Sequence, residues 1–352
     1  MKGTDLASSR LLGQDETEMQ KNLPPDPNQL HALLQQAWKL HQSGQLAKAE
    51  KLYRNILSVA PAHPDANNLM GLLCIQSKRP ELAARYIQKA LRPDPDNAQS
   101  HYNLGIACAD QGHFEEAARH FGRAVKLQPG NADALSSQGN ALRLSGDAAG
   151  AVEILQSAIG LDSANRGIRH NLGQALNDLG ASLVKTGKSS EAMGRFRQAL
   201  EYTPHHPQAL ANLGLTLEQQ GDLSEAARHY KAAIQARPDF AEAHFFLSHL
   251  RTHRSSPAEI KAMKGLFNHP ETPEIDQIRL AFGLGFALES SGNYAEAFHF
   301  MTEGHRLQGC GSGFSLERES RRFDAIKQAF PANQISSMEQ VGLADKRPIF
   351  IV

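Results

Sequence analysis

Glycine recurs in this chain at a fixed interval. Gly71, Gly105, Gly139 and Gly173 each stand 34 residues from the last. Alanines and prolines keep the same step: Ala49, Ala83, Ala117 and Ala151, then Pro61, Pro95 and Pro129. A constant period of this length indicates an array of similar units stacked side by side, rather than one globular domain.

The repeated residues suit a unit of two helices joined by a tight turn. Glycine in the first helix allows the second helix, which presents alanine, to cross it closely. A second glycine, such as Gly112, ends the first helix in a left-handed conformation. Proline cannot continue the second helix, so it begins the next unit. We expect the bulky residues of the second helices to fill the spaces between units: Tyr53, Phe121, Leu155, Phe196 and Tyr230.

These spacings predict six helix pairs within residues 30–240. Their approximate bounds are 30–63, 64–97, 98–131, 132–165, 166–206 and 207–240. The fifth is seven residues longer, because Asn171-Leu172-Gly173 is followed by Asp178-Leu179-Gly180. Seven residues are about two helical turns, roughly 10 Å, so the insertion preserves the helix face. We therefore predict one long helix over 167–186 that protrudes from one edge of the array.

The rest of the chain departs from the pattern. Residues 1–29 are polar, which is typical of a disordered tail. Residues 241–311 contain a degenerate repeat, with a capping box at Ser256, and then a variant repeat with Leu284-Gly285. Residues 312–345 are interpreted as a helical linker. Residues 346–352 end in an apolar, β-branched run that is typical of a buried strand.

The predicted fold is all-α. It is a right-handed superhelical solenoid of antiparallel helix pairs, followed by a short orphan C-terminal strand. Basic and acidic residues balance at 37 each, which argues against a nucleic-acid partner or an anionic membrane surface. No signal peptide and no apolar run of 18 residues occurs, so we expect a cytoplasmic protein without a membrane span.

The 34-residue helix–turn–helix period, with this choice of residues, resembles the tetratricopeptide repeat. The end of the chain resembles more specifically the tetratricopeptide-repeat sulfotransferases. The resemblance rests on the variant repeat from Ala281 to Phe298, the linker, and the strand Pro348 to Val352. In that family a loop binding 3′-phosphoadenosine 5′-phosphosulfate comes next.

That resemblance implies the repeat region of an enzyme that transfers a sulfuryl group to an acceptor. The phosphate loop and the catalytic groups would then lie beyond Val352, in the chain's own C-terminal catalytic domain. We therefore assign no catalytic, cofactor-binding or metal-binding residue here and expect the chain alone to catalyse nothing. The alternatives are a free-standing adaptor that binds peptides or proteins, and the repeat arm of a glycosyltransferase.

In each case a protein or peptide would occupy the concave groove lined by the first helices. Asn103, Asn171 and Asn212 each precede Leu-Gly in a first helix. They resemble the asparagine ladder by which O-linked N-acetylglucosamine transferases grip an extended peptide, since an amide both donates and accepts. The alternative is that asparagine is simply tolerated on a wet face. The ladder predicts that replacing all three by alanine weakens peptide binding without lowering the melting temperature.

Other patterns are interpreted as structural. Cys74 and Cys108, one repeat apart, are predicted to be small buried apolar residues, and with Cys310 they form no disulfide framework. The segment from Gly309 to Gly313 lacks a preceding strand and a Gly-Lys-Ser/Thr ending, so it is predicted to be a flexible linker. His249 and His253 are predicted to be a surface pair on one helix.

Overall fold

The computed structural model describes the backbone of residues 27–311 and the side chains as far as Gly309. The predicted linker 312–345, the predicted strand 346–352, the side chain of Cys310 and nearly all of the predicted tail lie outside these residues. Helix α1 begins at Pro27, slightly earlier than the predicted first unit. Within the described residues every regular element is an α-helix, which confirms the all-α fold class.

The helices follow one another with short connections. They are α1 Pro27–Gln42, α2 Leu46–Val59, α3 Pro64–Gln76, α4 Pro80–Leu91, α5 Ala98–Asp110, α6 Phe114–Leu127, α7 Ala132–Leu144, α8 Ala148–Leu161, α9 Arg166–Lys185, α10 Ser189–Tyr202, α11 Pro207–Gln219, α12 Leu223–Ala236, α13 Ala241–His249, α14 Pro257–Phe267, α15 Glu274–Ser290 and α16 Tyr294–Gly311. Odd-numbered helices are the first helices of their pairs, and even-numbered helices are the second helices.

The chain divides into two compact units between Asn212 and Leu213, within α11. In the first unit each first helix packs against its own second helix, and each second helix packs against the next first helix. The apolar core therefore runs continuously from pair to pair, as in Cys74, Ile87, Leu104 and Phe121. In the second unit α15 packs against α13, α14 and α16.

Six first-helix glycines each face a bulky side chain of their own pair. A Cβ on Gly105 would lie 2.7 Å from the Phe121 ring, and one on Gly139 would lie 2.5 Å from Leu155. The other pairs are Gly71 with Ile87, Gly180 with Phe196, Gly214 with Tyr230, and Gly285 with Met301. This contact within the pair was not predicted. The predicted packing between units is also present, because the ring of Tyr230 stacks on Phe246 of the next first helix with centroids 5.4 Å apart. The glycine was expected to accommodate the alanine of the second helix, but the atoms nearest to it belong mainly to a large side chain of that helix.

The predicted turns are confirmed. Gly44, Gly112, Gly146, Gly187, Gly221 and Gly292 all have positive φ, between 76° and 96°. In the second pair Lys78 takes the equivalent place with φ 56°, a conformation that costs a residue with a Cβ more than it costs glycine.

Polar residues cap the first helices at the predicted 34-residue step. The side-chain oxygens of Asn97, Asn131 and Asn165 accept hydrogen bonds from the first turns of α5, α7 and α9. His63 holds this place before α3, and its Nδ1 lies 3.4 Å from the Ala66 amide nitrogen. Each cap satisfies a backbone N–H that has no acceptor within its own helix.

The long helix predicted in the fifth pair is present as α9, with 20 residues against 13 in α7. Its buried residues extend from Ile168 to Gly180. Gly173 faces Thr203 at the end of α10, and Gly180 faces Phe196 in the middle of the same helix. The additional turns are therefore packed into the core, and the predicted protrusion is not observed.

The second unit confirms the predicted capping box. The Glu259 amide donates to Ser256 Oγ, and the Glu259 carboxylate accepts from the Ser256 amide at 2.7 Å. The flexible linker predicted at Gly309 is wrong for its first residues, because the backbone from Gly309 to Gly311 continues helix α16. Ser312 and Gly313 belong to the part of the chain that is not described.

Candidate peptide-binding face

Hydrogen bonds between side chains join consecutive first helices of the first unit, and each joins residues 35 apart. The bonds are His41 Nε2 to Gln76 Oε1 at 3.0 Å, Asn103 Nδ2 to Asn68 Oδ1 at 3.0 Å, Tyr102 Oη with Ser137 Oγ at 3.5 Å, Asn171 Nδ2 to Ser136 Oγ at 3.1 Å, Arg143 Nη1 to Asp178 Oδ2 at 3.1 Å, and Asn212 Nδ2 to Asn177 Oδ1 at 2.9 Å. These bonds fix the register of each first helix against the next.

The three predicted ladder asparagines all take part in this network. Asn103, Asn171 and Asn212 each donate an amide N–H to the preceding first helix. Asn103 Oδ1 also accepts from Gln99 at 3.0 Å, and the residue is only 2% exposed. The alternative that asparagine is simply tolerated on a solvent-exposed face therefore does not hold for Asn103. The peptide-binding role of the three asparagines stays a prediction.

The spacing of these bonds locates the outward side of each first helix. A residue that bonds to the next first helix lies either three positions before or four positions after the glycine of its own helix. A residue that bonds to the preceding first helix lies either two positions before or five positions after that glycine. Because a helix turns about 100° per residue, these two sets lie on opposite flanks. The residue directly after the glycine lies midway between them, on the surface that we call the first-helix face.

Five residues occupy this midway position in α1, α3, α5, α7 and α9, and in α1 Ala37 takes the place of the glycine. They form what we call the central row: Trp38, Leu72, Ile106, Asn140 and Gln174. All five are half-buried, so part of each side chain is open to solvent. The first three are apolar and the last two are amides. Sequence reasoning missed this row because it examined the asparagine position, three residues earlier in each helix.

The apolar part of the central row has rigid support. Ile106 packs against a buried core shared by the second and third pairs, as do the neighbouring half-buried residues Ile75 and Tyr102. The ring of Tyr102 lies 5.5 Å from that of Phe121, centroid to centroid. Trp38 stands edge-on to His41, with ring centroids 5.4 Å apart. An arriving apolar side chain would therefore meet a preformed surface, which lowers the entropic cost of binding.

The amide part is fixed by the neighbouring ion pair. Arg143 contacts Asp178 and also donates to Asn140 Oδ1, with Nη2 at 3.1 Å. Because the oxygen of Asn140 is engaged, its NH₂ group is the part that remains to donate. A backbone carbonyl is the natural acceptor for such a donor.

The structure corrects the prediction for His249 and His253. Helix α13 ends at His249, and its C-cap Leu250 is extended, so His253 lies in the loop that follows rather than one turn further along a helix. His249 is exposed, but the His253 side chain is only 9% exposed and lies 3.4 Å from Glu259. Burial lowers the pKa of His253. The prediction that both histidines lie on the surface of one helix is therefore wrong.

Comparison with known proteins supports the repeat assignment. Two family models, both described as tetratricopeptide repeat, match this chain. One matches residues 99–166, 177–241 and 214–251, and the other matches residues 40–107. Together they cover more than half of the 352 residues. No curated protein matches the chain.

Similar solved structures are also repeat proteins. YrrB, a TPR protein with an unusual peptide-binding site, is 22% identical and covers 54% of this chain and 95% of its own, with a TM-score of 0.44. MamA is 23% identical over 49% of this chain and 97% of its own, with a TM-score of 0.41. MamA from Desulfovibrio magneticus RS-1 is 21% identical, covers 54% of this chain and 96% of its own, and has a TM-score of 0.40. Among the described helices none is long and apolar enough to cross a membrane.

Proposed function

Because this chain belongs to the tetratricopeptide repeat family, whose repeats bind peptides and proteins, we propose that it holds an extended peptide segment of a partner protein on the first-helix face. The apolar side chains of the segment lie over Trp38, Leu72 and Ile106. Its backbone reaches the amides of Asn140 and Gln174. The observation that carries the proposal is this central row, which is apolar at one end and hydrogen-bonding at the other.

The distance between helices limits the form of the ligand. Packed helices lie roughly 8–10 Å apart, which sets the distance between successive members of the central row. A polyproline-type segment rises about 3.1 Å per residue and has three residues per turn. Apolar side chains at every third residue would therefore repeat at about 9 Å on one side. We propose that the segment carries apolar residues with this spacing.

Trp38 makes the proposal directly measurable. It is the chain's single tryptophan and lies in the central row, so its fluorescence reports what covers it. Peptides of about a dozen residues can be selected on the protein from a random library and then titrated. We expect selected peptides to shift the emission of Trp38 and to share apolar residues at every third position.

Matched variants distinguish binding at the first-helix face from nonspecific hydrophobic binding elsewhere on the protein. Leu72→Gln changes the centre of the apolar part and should weaken binding at least tenfold. Leu161→Gln changes a leucine that is 52% exposed at the end of α8, a second helix, and should leave binding unchanged. Equal loss in both variants, or selected peptides that leave the Trp38 emission unchanged, would refute the proposed location.

The resemblance to sulfotransferases supports a second, finer proposal. We propose that the protein encoded by the complete gene uses these repeats to recruit the acceptor of a cytoplasmic sulfuryl transfer. Support comes only from residues 280–352, of which the variant repeat corresponds to α15 and α16. The test is to add 3′-phosphoadenosine 5′-phosphosulfate to the complete gene product with peptide acceptors and to measure sulfuryl transfer. Absence of both nucleotide binding and transfer would favour a free-standing adaptor.

A further inference from the structure

The third pair brings three metal-ligand groups together. Cys108 projects from α5, and Glu116 and His120 stand four residues apart on one face of α6. One ligand atom of each residue lies within 4.8 Å of the others. His120 Nε2 is 3.9 Å from Glu116 Oε1. The sulfur, nitrogen and oxygen atoms thus converge on one point between the two helices.

Hydrogen bonds fix which nitrogen of His120 is free. His101 Nε2 lies 2.9 Å from the carbonyl oxygen of Pro95, which only accepts, so this nitrogen carries a proton. In neutral His101 the Nδ1 atom is then an acceptor. It lies 3.3 Å from His120 Nδ1, which must donate. The Nε2 atom of neutral His120 is consequently unprotonated, and this is the nitrogen nearest Glu116.

This relay is the arrangement found around metal-bound imidazoles. A ligating histidine normally donates its other ring N–H to an acceptor, which fixes the tautomer and the ring plane. Burial lowers the pKa of His120 and so favours its neutral form. The relay needs no metal to form. It nevertheless leaves one lone pair directed toward the cluster, which ordinary core packing does not require.

Cys108 supplies the soft ligand. The residue is 4% exposed, and burial raises the pKa of its thiol to about 11. The thiol is therefore protonated and unreactive at neutral pH, and an ion that binds must displace its proton to solvent. Thiolate, imidazole and carboxylate together suit Zn²⁺, which binds these atoms at about 2.0–2.3 Å. Small side-chain rotations would bring the three atoms to these distances.

A second repeat shows what Cys108 adds. Counted from Gly214 instead of Gly105, the equivalents of Glu116 and His120 are Glu225 and His229. Their atoms also face each other, at 4.0 Å. The equivalent of Cys108 there is Leu217, so this second pair of ligands has no thiol. The carboxylate–imidazole pair is thus shared by these two repeats, and of the two it is the third pair in which a cysteine completes a set of three.

We propose that Cys108, Glu116 and His120 bind a Zn²⁺-class ion that clamps α5 to α6, with His101 as a positioning residue. Glu116 also lines an open cavity of about 360 Å³ with Gly112, His113 and Arg119. The cavity gives an ion a route from solvent. It also leaves room for water, or a ligand atom of a bound protein, in the fourth coordination position.

Co²⁺ is the probe that identifies the ligands. A thiolate bound to Co²⁺ gives an intense charge-transfer band in the near ultraviolet, and we expect one such site per full-length chain. The band should persist in Cys74→Ser, because Cys74 has Leu82 and Tyr86 where Cys108 has Glu116 and His120. It should disappear in Cys108→Ser.

Zn²⁺ supplies the independent readout. Added Zn²⁺ should displace Co²⁺ and raise the melting temperature of the wild type by about 5 °C. Cys108→Ser and His120→Gln should lose this shift, while Glu225→Gln and His229→Gln should retain it. Circular dichroism of each variant checks that it is folded.

His101 is tested through affinity and spectrum. His101→Phe should keep the thiolate band but weaken binding about 10–100-fold, as expected for loss of an orienting hydrogen bond. His101→Asn, which can both donate and accept, should restore part of the affinity. Because the chain has 16 histidines, binding without the thiolate band is a real outcome. That result, or a band that survives Cys108→Ser, would mean an adventitious ion only and would overturn the proposal.

Discussion

The ring of Phe121 lies directly on the backbone of Gly105. A Cβ at Gly105 would stand 2.7 Å from two atoms of the ring, closer than real contacts allow. Phe121 is 3% exposed and is surrounded by buried residues of the same core cluster, so the ring has little freedom to move away. The same relationship joins a glycine to a bulky residue in five other pairs.

Gly105→Ala should therefore destabilise the protein, although alanine favours helices. We expect a loss of about 1–3 kcal/mol in the free energy of unfolding, typical of overpacking in a dense core. The matched control is Gly194→Ala in α10, where a Cβ would meet nothing within 4 Å. That change should stabilise by about 0.5–1 kcal/mol. Denaturant unfolding followed by circular dichroism measures both, and shifts of the same sign would contradict the packing argument.

His63→Asn should stabilise the start of α3. The Asn97 oxygen accepts its cap hydrogen bond at 2.9 Å, whereas His63 Nδ1 lies 3.4 Å from its donor. Asparagine is also among the best N-cap residues, so a gain of about 0.5–1 kcal/mol is expected. Asn97→His is the reverse change and should cost a similar amount. Melting temperatures test the pair, and a loss in both directions would show that local packing outweighs the cap.

Asn103→Ala should lower the melting temperature, contrary to the expectation from the sequence. The change removes the acceptor of Gln99 and the donor to Asn68, both at 3.0 Å in a nearly buried place. We expect a cost of about 1–3 kcal/mol, since a polar group left unpaired on burial is expensive. Asn68→Ala and the double variant complete a thermodynamic cycle. Additive effects of the two changes would indicate that the hydrogen bond between them contributes little.

The free energy of unfolding should fall in mild acid. Burial lowers the pKa of His41 below its ordinary value of 6.5, and the same direction holds for His120, His244 and His253. As the pH falls, these histidines therefore become protonated at a higher pH in the unfolded chain than in the folded chain. The stabilisation is complete above about pH 6.5 and is lost as the pH falls through the lowered pKa values of the folded state.

His41→Gln isolates one of these contributions. Glutamine does not titrate, so the melting temperature of the variant should fall less steeply with pH than that of the wild type. The Trp38 ring lies 5.4 Å from that of His41, and its emission gives a second readout of the charge on His41. Equal slopes in wild type and variant would assign the acid sensitivity to other groups.

The helix pairs could be predicted because each is encoded by residues that recur at one period. The turn glycines and the long α9 both followed from that period. The same period hides which glycine a bulky residue faces. Phe121 lies between Gly105 and Gly139 in sequence, and both recur with it at every step, so only the packed structure shows that its partner is Gly105.

The candidate sites could not be predicted from the sequence, for other reasons. The central row is visible only once the bonds between first helices define the flanks. Cys108, Glu116 and His120 match no recognised ligand spacing, and the direction of the free nitrogen depends on Pro95 and His101. His253 was misplaced because nothing in the apolar pattern marks the end of α13 at His249.

Helix α9 has a consequence for how such arrays change length. Asn177 is both the fourth residue after Gly173 and the third before Gly180, so it serves either glycine equally well. Asp178 bonds backward to Arg143 while Asn177 bonds forward to Asn212. An evolutionary insertion of seven codons in a first helix is therefore nearly silent, whereas one of five would rotate every later contact by about a third of a turn or more. Insertions within the first helices of such arrays should therefore favour lengths close to whole helical turns, such as about 7, 11 or 18 residues.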